Sequence, residues 1–290
     1  MKLSSYVTPD GRPSFGIVVG STQKPEGVID LGSRYGSLRA LLNDKKGLDD
    51  ARSLSGEKPS FTFTDVKLLP VIPDPDKIFC IGTNFMSHIL ETGREIPKKP
   101  MIFTRFAASQ AAADEDLLSP KVSDSFDYEG ELAVIIGRKS RYVEPQHALE
   151  RVAGYSIYND ASVRDWQRHT QQFAPGKNFP KTGAFGPWMV TTDELPDVPA
   201  QTLKTRLNGR EVQSAVFSDF VFDVPALVSY CSYFITLEPG DVIITGTTGG
   251  VGAFHNPPLW MKPGDRVEVE ISGIGVLRNG IAKEESSFAI

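Results

Sequence analysis

The chain reads as α+β and mainly β, because short β-branched and aromatic runs alternate with tight-turn signals and few segments carry helix signals. Turn chemistry recurs along it: Pro9-Asp10-Gly11, Asn208-Gly209, Asn279-Gly280, and two Pro-Gly-Asp turns at 239–241 and 263–265. With 290 residues, 40% apolar and 23% charged, the sequence can build one large core with a small module beside it.

In chain order, Lys2 to Thr8 and Pro13 to Val19 flank the Pro9–Arg12 turn and predict a hairpin. Ser37 to Leu42 has helical character, and polar Ala51 to Ser60 reads as a connector. The prolines of Leu69-Pro70-Val71-Ile72-Pro73 mark a boundary, predicting a small N-terminal structural domain (1–70) and a main domain (71–290). The main domain opens with the strand Ile78–Gly82. Leu203 to Val212 turns at Asn208-Gly209, and a helix starts after Asp223 with Pro225 in its first turn. Asn279-Gly280 predicts a last hairpin.

One strand organises the rest. Phe126-Asp127-Tyr128-Glu129-Gly130-Glu131 runs into the apolar stretch Leu132–Ile136, predicting a wet end and a buried end. Strand alternation puts Glu129 and Glu131 on one face, with Gly130 offering no side chain to crowd them. A second strand, Gly154–Asp160, ends in another acid. Three carboxylates without His or Cys favour a hard cation such as Mg²⁺ or Mn²⁺. By spacing alone, a solvated strand face with Asp160 as a helix cap remains the alternative.

His88 and Glu91 stand three apart, so one helical turn makes them an imidazole–carboxylate pair; an ordinary surface turn is the other reading. Lys177 lies in a glycine-flanked loop after a helical stretch, Ser162 to His169. Thr245-Gly246-Thr247-Thr248-Gly249-Gly250 lacks the lysine of a P-loop, and the dinucleotide fingerprint is absent, which argues against a nucleotide. Cys80 and Cys231 read as buried free thiols. His147, His169 and His255 match no motif.

A net charge of −5 without a basic run argues against nucleic acid or an anionic membrane as partner. The first residues lack the apolar core of a signal peptide, and no apolar stretch approaches the ~18 residues that span a bilayer. A cytoplasmic location is the expectation.

The runs DYEGELAVIIG and YNDASVRDWQ resemble the metal-binding signature of the fumarylacetoacetate hydrolase superfamily, and the likeness extends from about Lys77 to Ala282. That resemblance implies a rolled mixed β-sandwich with Glu129, Glu131 and Asp160 holding Mg²⁺ or Mn²⁺. GTNFMSHILE is similar to the family's lid segment, which implies that His88 and Glu91 activate water. G-K-x-F implies that Lys177 points at the substrate, although Pro180-Lys181-Thr182 departs from the family pattern. The loop at 246–252 resembles G-T-P-x-G-V-G with Thr248 in place of proline, which implies that Gly246 and Thr247 bind the keto-acid end. Arg105 falls where many relatives carry lysine; either it reads a distal substrate carboxylate or it is a surface arginine salt-bridged elsewhere.

These implications converge on a metal-dependent hydrolase that cleaves a carbon–carbon bond in an acylpyruvate, such as maleylpyruvate, fumarylpyruvate or a 2,4-diketo-3-deoxy acid of aromatic or sugar-acid breakdown. Decarboxylation, isomerisation or hydration of a related keto acid is the nearest alternative, and a non-catalytic metal-binding protein is a remote one. The family also implies a homodimer.

Overall fold

The computed structural model describes residues 1–285, so the last five residues of the expected main domain lie outside the described residues. It is mostly β, as the turn chemistry predicts. The strands used below are β1 (Lys2–Val7), β2 (Pro13–Gly20), β3 (Pro25–Asp30), β4 (Ile78–Gly82), β5 (Met101–Arg105), β6 (Gly130–Ile136) and β7 (Val152–Asp160). They continue with β8 (Gly183–Thr191), β9 (Thr202–Leu207), β10 (Arg210–Val216), β11 (Val242–Ile244), β12 (Arg266–Ile271) and β13 (Gly275–Lys283). The helices used below are α1 (Leu38–Asn43), α2 (Gly47–Ser53), α3 (Met86–Thr92), α4 (Arg164–Gln167), α5 (Ala174–Lys177) and α6 (Val224–Phe234), and a short helix, Gly32–Tyr35, precedes them.

The large sheet runs β3-β2-β1-β8-β7-β6-β11-β4-β5, with Phe61–Thr62 outside β3. It is mixed: β6 pairs antiparallel with β7 and β11, whereas β11 pairs parallel with β4. The second sheet, β10-β9-β12-β13 and Leu117–Ser119, lies across the middle of the first, with β9 and β12 over β6 and β12 and β13 over β7. The result is the rolled mixed β-sandwich.

Alternation along β6 explains why its apolar run is unbroken. Leu132, Val134 and Ile136 point into the core between the sheets, and Ala133 and Ile135 into a second core with Leu3, Leu38 and Leu41. A strand buried on both faces has no solvent side to mark with polar residues. Gly130 is needed on the inter-sheet side: a Cβ there would sit 2.3 Å from Thr205 Oγ1. Its smallness lets the second sheet approach, and it does not relieve crowding between the glutamates, which lie on the other face.

The β1–β2 hairpin, the β9–β10 turn at Asn208-Gly209, and α6 with its Asp223 cap (2.8 Å to Ala226 N) follow their sequence signals. The N-terminal strands that fall within residues 1–70 share a sheet with the rest through β1 and β8. Two local expectations change. Asn279-Gly280 makes no hairpin, because β13 runs through it while paired with β12 on one side and Leu117–Ser119 on the other. The turn falls at Ser272–Ile274, with Gly273 at φ 77°. The polar segment after Ala51 begins within α2, and the stretch 162–169 splits into a two-residue bridge, Ser162–Val163 against Phe126–Asp127, followed by α4.

Candidate functional site

Register places three carboxylates together. Glu131 is paired with Tyr158 and Gly130 with Asn159, so Glu129 falls opposite Asp160, whose N–H donates to Glu129 O at 2.8 Å. Opposed residues share a face. Ligand oxygens of Glu129, Glu131 and Asp160 therefore lie within 4.8 Å of one another, and all three residues are buried.

Cations knit two of the three. Lys177 Nζ donates to Glu129 Oε2 at 2.5 Å and to Asp160 Oδ2 at 2.6 Å. Arg164 Nη2 lies 2.7 Å from Glu129 Oε1, and its Nε donates to Asp127 Oδ2 at 2.7 Å. Burial works against charge on Glu129, but Arg164 and Lys177 outweigh it and hold the carboxyl down to about 2. Burial also works against charge on Lys177, and Asp160 and Glu129 reverse that, raising its pKa. Glu131 accepts the Gly246 N–H at 2.6 Å but, among the described residues, forms no ion pair with a cation. Burial, then Asp160 and Glu129, push its carboxyl well above the ordinary range.

Four carboxylates, with Asp127 included, thus face three cations, Lys177, Arg164 and Arg105. The deficit falls on Glu131, the oxygen donor best served by an added cation. An all-oxygen donor set of this kind fits a hard divalent ion, and these residues can hold one.

Glu129 and Glu131, with Lys177 and Arg164, line a cavity of about 460 Å³ whose wall also includes His88, Arg94, Phe103, Arg168, Phe173 and Thr247, while Asp160 lies behind them. The expected pair is formed on α3: His88 Nδ1 lies 3.0 Å from Glu91 Oε2, and Glu91 Oε1 accepts the Gly250 N–H at 2.9 Å. Nε2 is left as the ring nitrogen able to act on a substrate. Lys177 ends α5 instead of standing in a loop, and is 1% exposed.

Arg105 requires a correction. It is 2% exposed and absent from the cavity wall. Its Nε donates to Asp160 Oδ1 and its Nη2 to Ala161 O, so it lies beneath the cluster and cannot meet a distal substrate carboxylate. Gly183 makes room, since a Cβ there would sit 2.7 Å from Arg105 Nη1. Gly246 likewise serves Glu131 and leaves the wall to Thr247, whose Oγ1 donates to Gly130 O at 3.0 Å. The predicted wet end of the central strand is also absent: Asp127 is fully buried, accepting N–H groups from Gly252 (2.7 Å) and Ala253 (3.0 Å) as well as Arg164.

Sequence reasoning passed over Arg164, Asp127 and Gln213. Arg164 carried a usable signal, four residues after Asp160 at a strand-to-helix junction. Gln213 carried none: it is 2% exposed on β10, and its amide bridges Gly130 N (3.0 Å) to Thr247 Oγ1 (2.8 Å) and Thr248 O (3.0 Å).

Fold and site define a mixed-sheet protein built around a buried carboxylate centre suited to a divalent cation. The sequence model of the family described as "Fumarylacetoacetate (FAA) hydrolase C-terminal" matches residues 77–282. The chain belongs to the fumarylacetoacetate hydrolase superfamily. It is 37% identical to the oxaloacetate tautomerase FAHD2A, mitochondrial, of Bos taurus, across 97% of this chain and 91% of that protein. It superposes on 5-carboxymethyl-2-hydroxymuconate delta-isomerase from Mycobacterium smegmatis with a TM-score of 0.78 at 29% identity, covering 98% and 100% of the two chains. Against maleylpyruvate hydrolase from Sphingobium sp. SYK-6, solved with manganese(II) and pyruvate, the TM-score is 0.81 at 25% identity, with the same coverage. No described helix is long and apolar enough to cross a membrane.

Proposed function

We propose that this enzyme transfers a proton at the carbon next to the keto group of a dicarboxylic 2-keto acid, interconverting enol and keto forms of an oxaloacetate-like substrate. The observation that carries the reading is that His88, paired with Glu91, lines one cavity with Glu129 and Glu131 of the carboxylate cluster. Resemblance to the tautomerase over nearly the whole chain supports it.

Glu129, Glu131 and Asp160 would hold a divalent cation, which when bound would supply Lewis-acid stabilisation of the charge on the 2-oxygen. Lys177 and Arg164 keep Glu129 ionised for that task. His88 Nε2 removes the enol O–H proton and returns a proton to C3, so one base completes the exchange and no atom is gained or lost. Glu91, fixed by the Gly250 N–H, orients the ring and stabilises it while it carries the proton. Arg94 and Arg168 on the wall complement the second carboxylate. Phe103 and Phe173 narrow the cavity against water.

Hydrolysis of an acylpyruvate is the second reading. Its support is the same pair, able to deprotonate a water, together with the likeness to the maleylpyruvate hydrolase. Cleavage of that bond leaves the enol of pyruvate, which must be protonated at C3, so tautomerisation is the step both reactions need. Two assays separate them: decay of the ultraviolet absorbance of fresh enol-oxaloacetate, and pyruvate release from acylpyruvates, each with Mg²⁺ or Mn²⁺ and again with chelator. Accelerated enol decay lost on chelation supports the first reading; pyruvate release without it moves the assignment to hydrolysis. A homodimer and cytoplasmic residence are further parts of the proposal, checked by light scattering and cell fractionation.

A further inference from the structure

The helix that carries His88 is held in place mainly from outside. α3 spans Met86–Thr92, too short to stand alone, and Phe85 at its N-cap offers no side-chain hydrogen bond. Within it only His88 and Ile89 are buried, and Leu90 is 76% exposed. Phe85, packed on Phe217 and Phe220, and Ile89 anchor its start, and polar contacts add the directional hold on the rest. Ser87 N–H donates to Asp219 Oδ2 at 3.0 Å, Gly250 N–H holds Glu91 at 2.9 Å, and Ser87 Oγ lies 3.1 Å from Thr248 Oγ1.

Thr248 is itself fixed to the carboxylate strand. It is 1% exposed, and its carbonyl accepts from Gln213 Nε2 at 3.0 Å, while Gln213 Oε1 accepts the Gly130 N–H at 3.0 Å. Gly130 lies between Glu129 and Glu131. One chain of contacts thus runs from the backbone of the carboxylate cluster through Gln213 and Thr248 to Ser87, the residue before His88.

We propose that Thr248 is a positioning residue that, through the Ser87 hydroxyl, registers α3 and its His88 over the carboxylate cluster. The catalytic consequence rests on the proton-transfer reading above; the conformational part does not. Two hydroxyls in contact are directional, so their loss frees the helix without opening a large cavity. Thr248→Val keeps the shape and removes the hydroxyl, Thr248→Ser keeps the hydroxyl, and Ser87→Ala removes the partner.

The test is amide hydrogen exchange of residues 86–92 together with enol-oxaloacetate turnover and calorimetric titration of Mn²⁺. Thr248→Val and Ser87→Ala should each speed exchange of α3 and lower kcat about threefold to tenfold, the size of one neutral hydrogen bond, with Mn²⁺ affinity unchanged. The double variant should lose no more than either single one, and Thr248→Ser should restore both exchange and kcat. Unchanged exchange in both single variants, or additive losses in the double variant, overturns the proposal. Faster exchange with unaltered turnover keeps the latch and counts instead against His88 as the proton carrier.

Discussion

Arg105 grips Asp160 from beneath: its Nε donates to Oδ1, while Lys177 Nζ takes Oδ2 at 2.6 Å from the other side. A carboxylate held at both oxygens cannot swing, so Asp160 is presented in a fixed orientation for a cation. Lysine at 105 would supply the charge but not the fork that also reaches Ala161 O, Ser109 and Thr182. Arg105→Lys should therefore weaken Mn²⁺ binding by about 10-fold to 100-fold, as loss of a partner behind a metal ligand does, and should affect all substrates alike. Calorimetric titration checks the first part. A loss confined to dicarboxylic substrates would restore Arg105 to the substrate side.

Much of this centre is legible in the sequence. Strand alternation and i,i+3 spacing are local properties and make Glu129, Glu131, Asp160, His88 and Glu91 candidates, but a solvated strand face and a surface turn fit the same spacings, and only the family resemblance decides between the readings. Arg105 is 55 residues from Asp160, and nothing local says that its guanidinium turns inward. Asp127 looks like the wet start of a strand until its partners, Arg164 and the N–H groups of Gly252 and Ala253, are seen to come from distant segments. The Asn279-Gly280 signal fails for a related reason: Asn279 Nδ2 donates to Ala112 O (2.9 Å) and Glu115 O (2.7 Å), a tertiary use of an apparent turn residue.

Glu131 links cation uptake to pH. Its carboxyl lies well above the ordinary value because of burial and then its neighbours Asp160 and Glu129, so the cation-free native state binds a proton that the unfolded chain has released. Between the unfolded pKa near ~4.3 and the raised folded one, stability without cation should fall as pH rises. Binding the ion expels that proton, so affinity for Mn²⁺ should rise with pH over the same window. Melting curves without cation and calorimetry in buffers of differing ionisation enthalpy read both slopes; absence of proton release on binding would place the missing charge elsewhere.

Gly130 should tolerate nothing larger. A Cβ would stand 2.3 Å from Thr205 Oγ1 and 3.0 Å from Val269 Cγ1, both in the second sheet. Gly130→Ala should cost about 1 to 3 kcal/mol as overpacking and displace the glutamates on either side. Lower melting temperature together with weaker Mn²⁺ binding is the expected pair of results; an unchanged melt would mean that the sheets separate without strain.

Arg168 belongs to the exposed side of the cavity wall, where a side chain can meet the far end of a substrate. Arg168→Gln should raise KM for oxaloacetate by about 10-fold to 100-fold, because a charged hydrogen bond contributes roughly 1.5 to 3 kcal/mol, while kcat and Mn²⁺ affinity change little. Equal effects on a 2-keto acid lacking the second carboxylate would show that Arg168 does not read it.

His88 separates the chemistry from the cation. The residue is buried on α3 and its ring is held by Glu91, whereas the carboxylate cluster stands at the start of β6 and the end of β7 with its own cations, so removing the imidazole leaves the centre's architecture intact. A general base contributes ~10² to 10⁴ in rate, and His88→Ala should lower enol–keto exchange by about that factor with Mn²⁺ affinity nearly unchanged. Glu91→Gln should lose less, because the amide can still meet Nδ1 but no longer stabilises the charged ring. Both variants should be assayed at saturating cation, with folding checked by melting. If His88→Ala exchanges enol and keto forms at the unmutated rate, the proton carrier lies elsewhere in the cavity. Lys177, the amine beside the cluster, is then the group to test next.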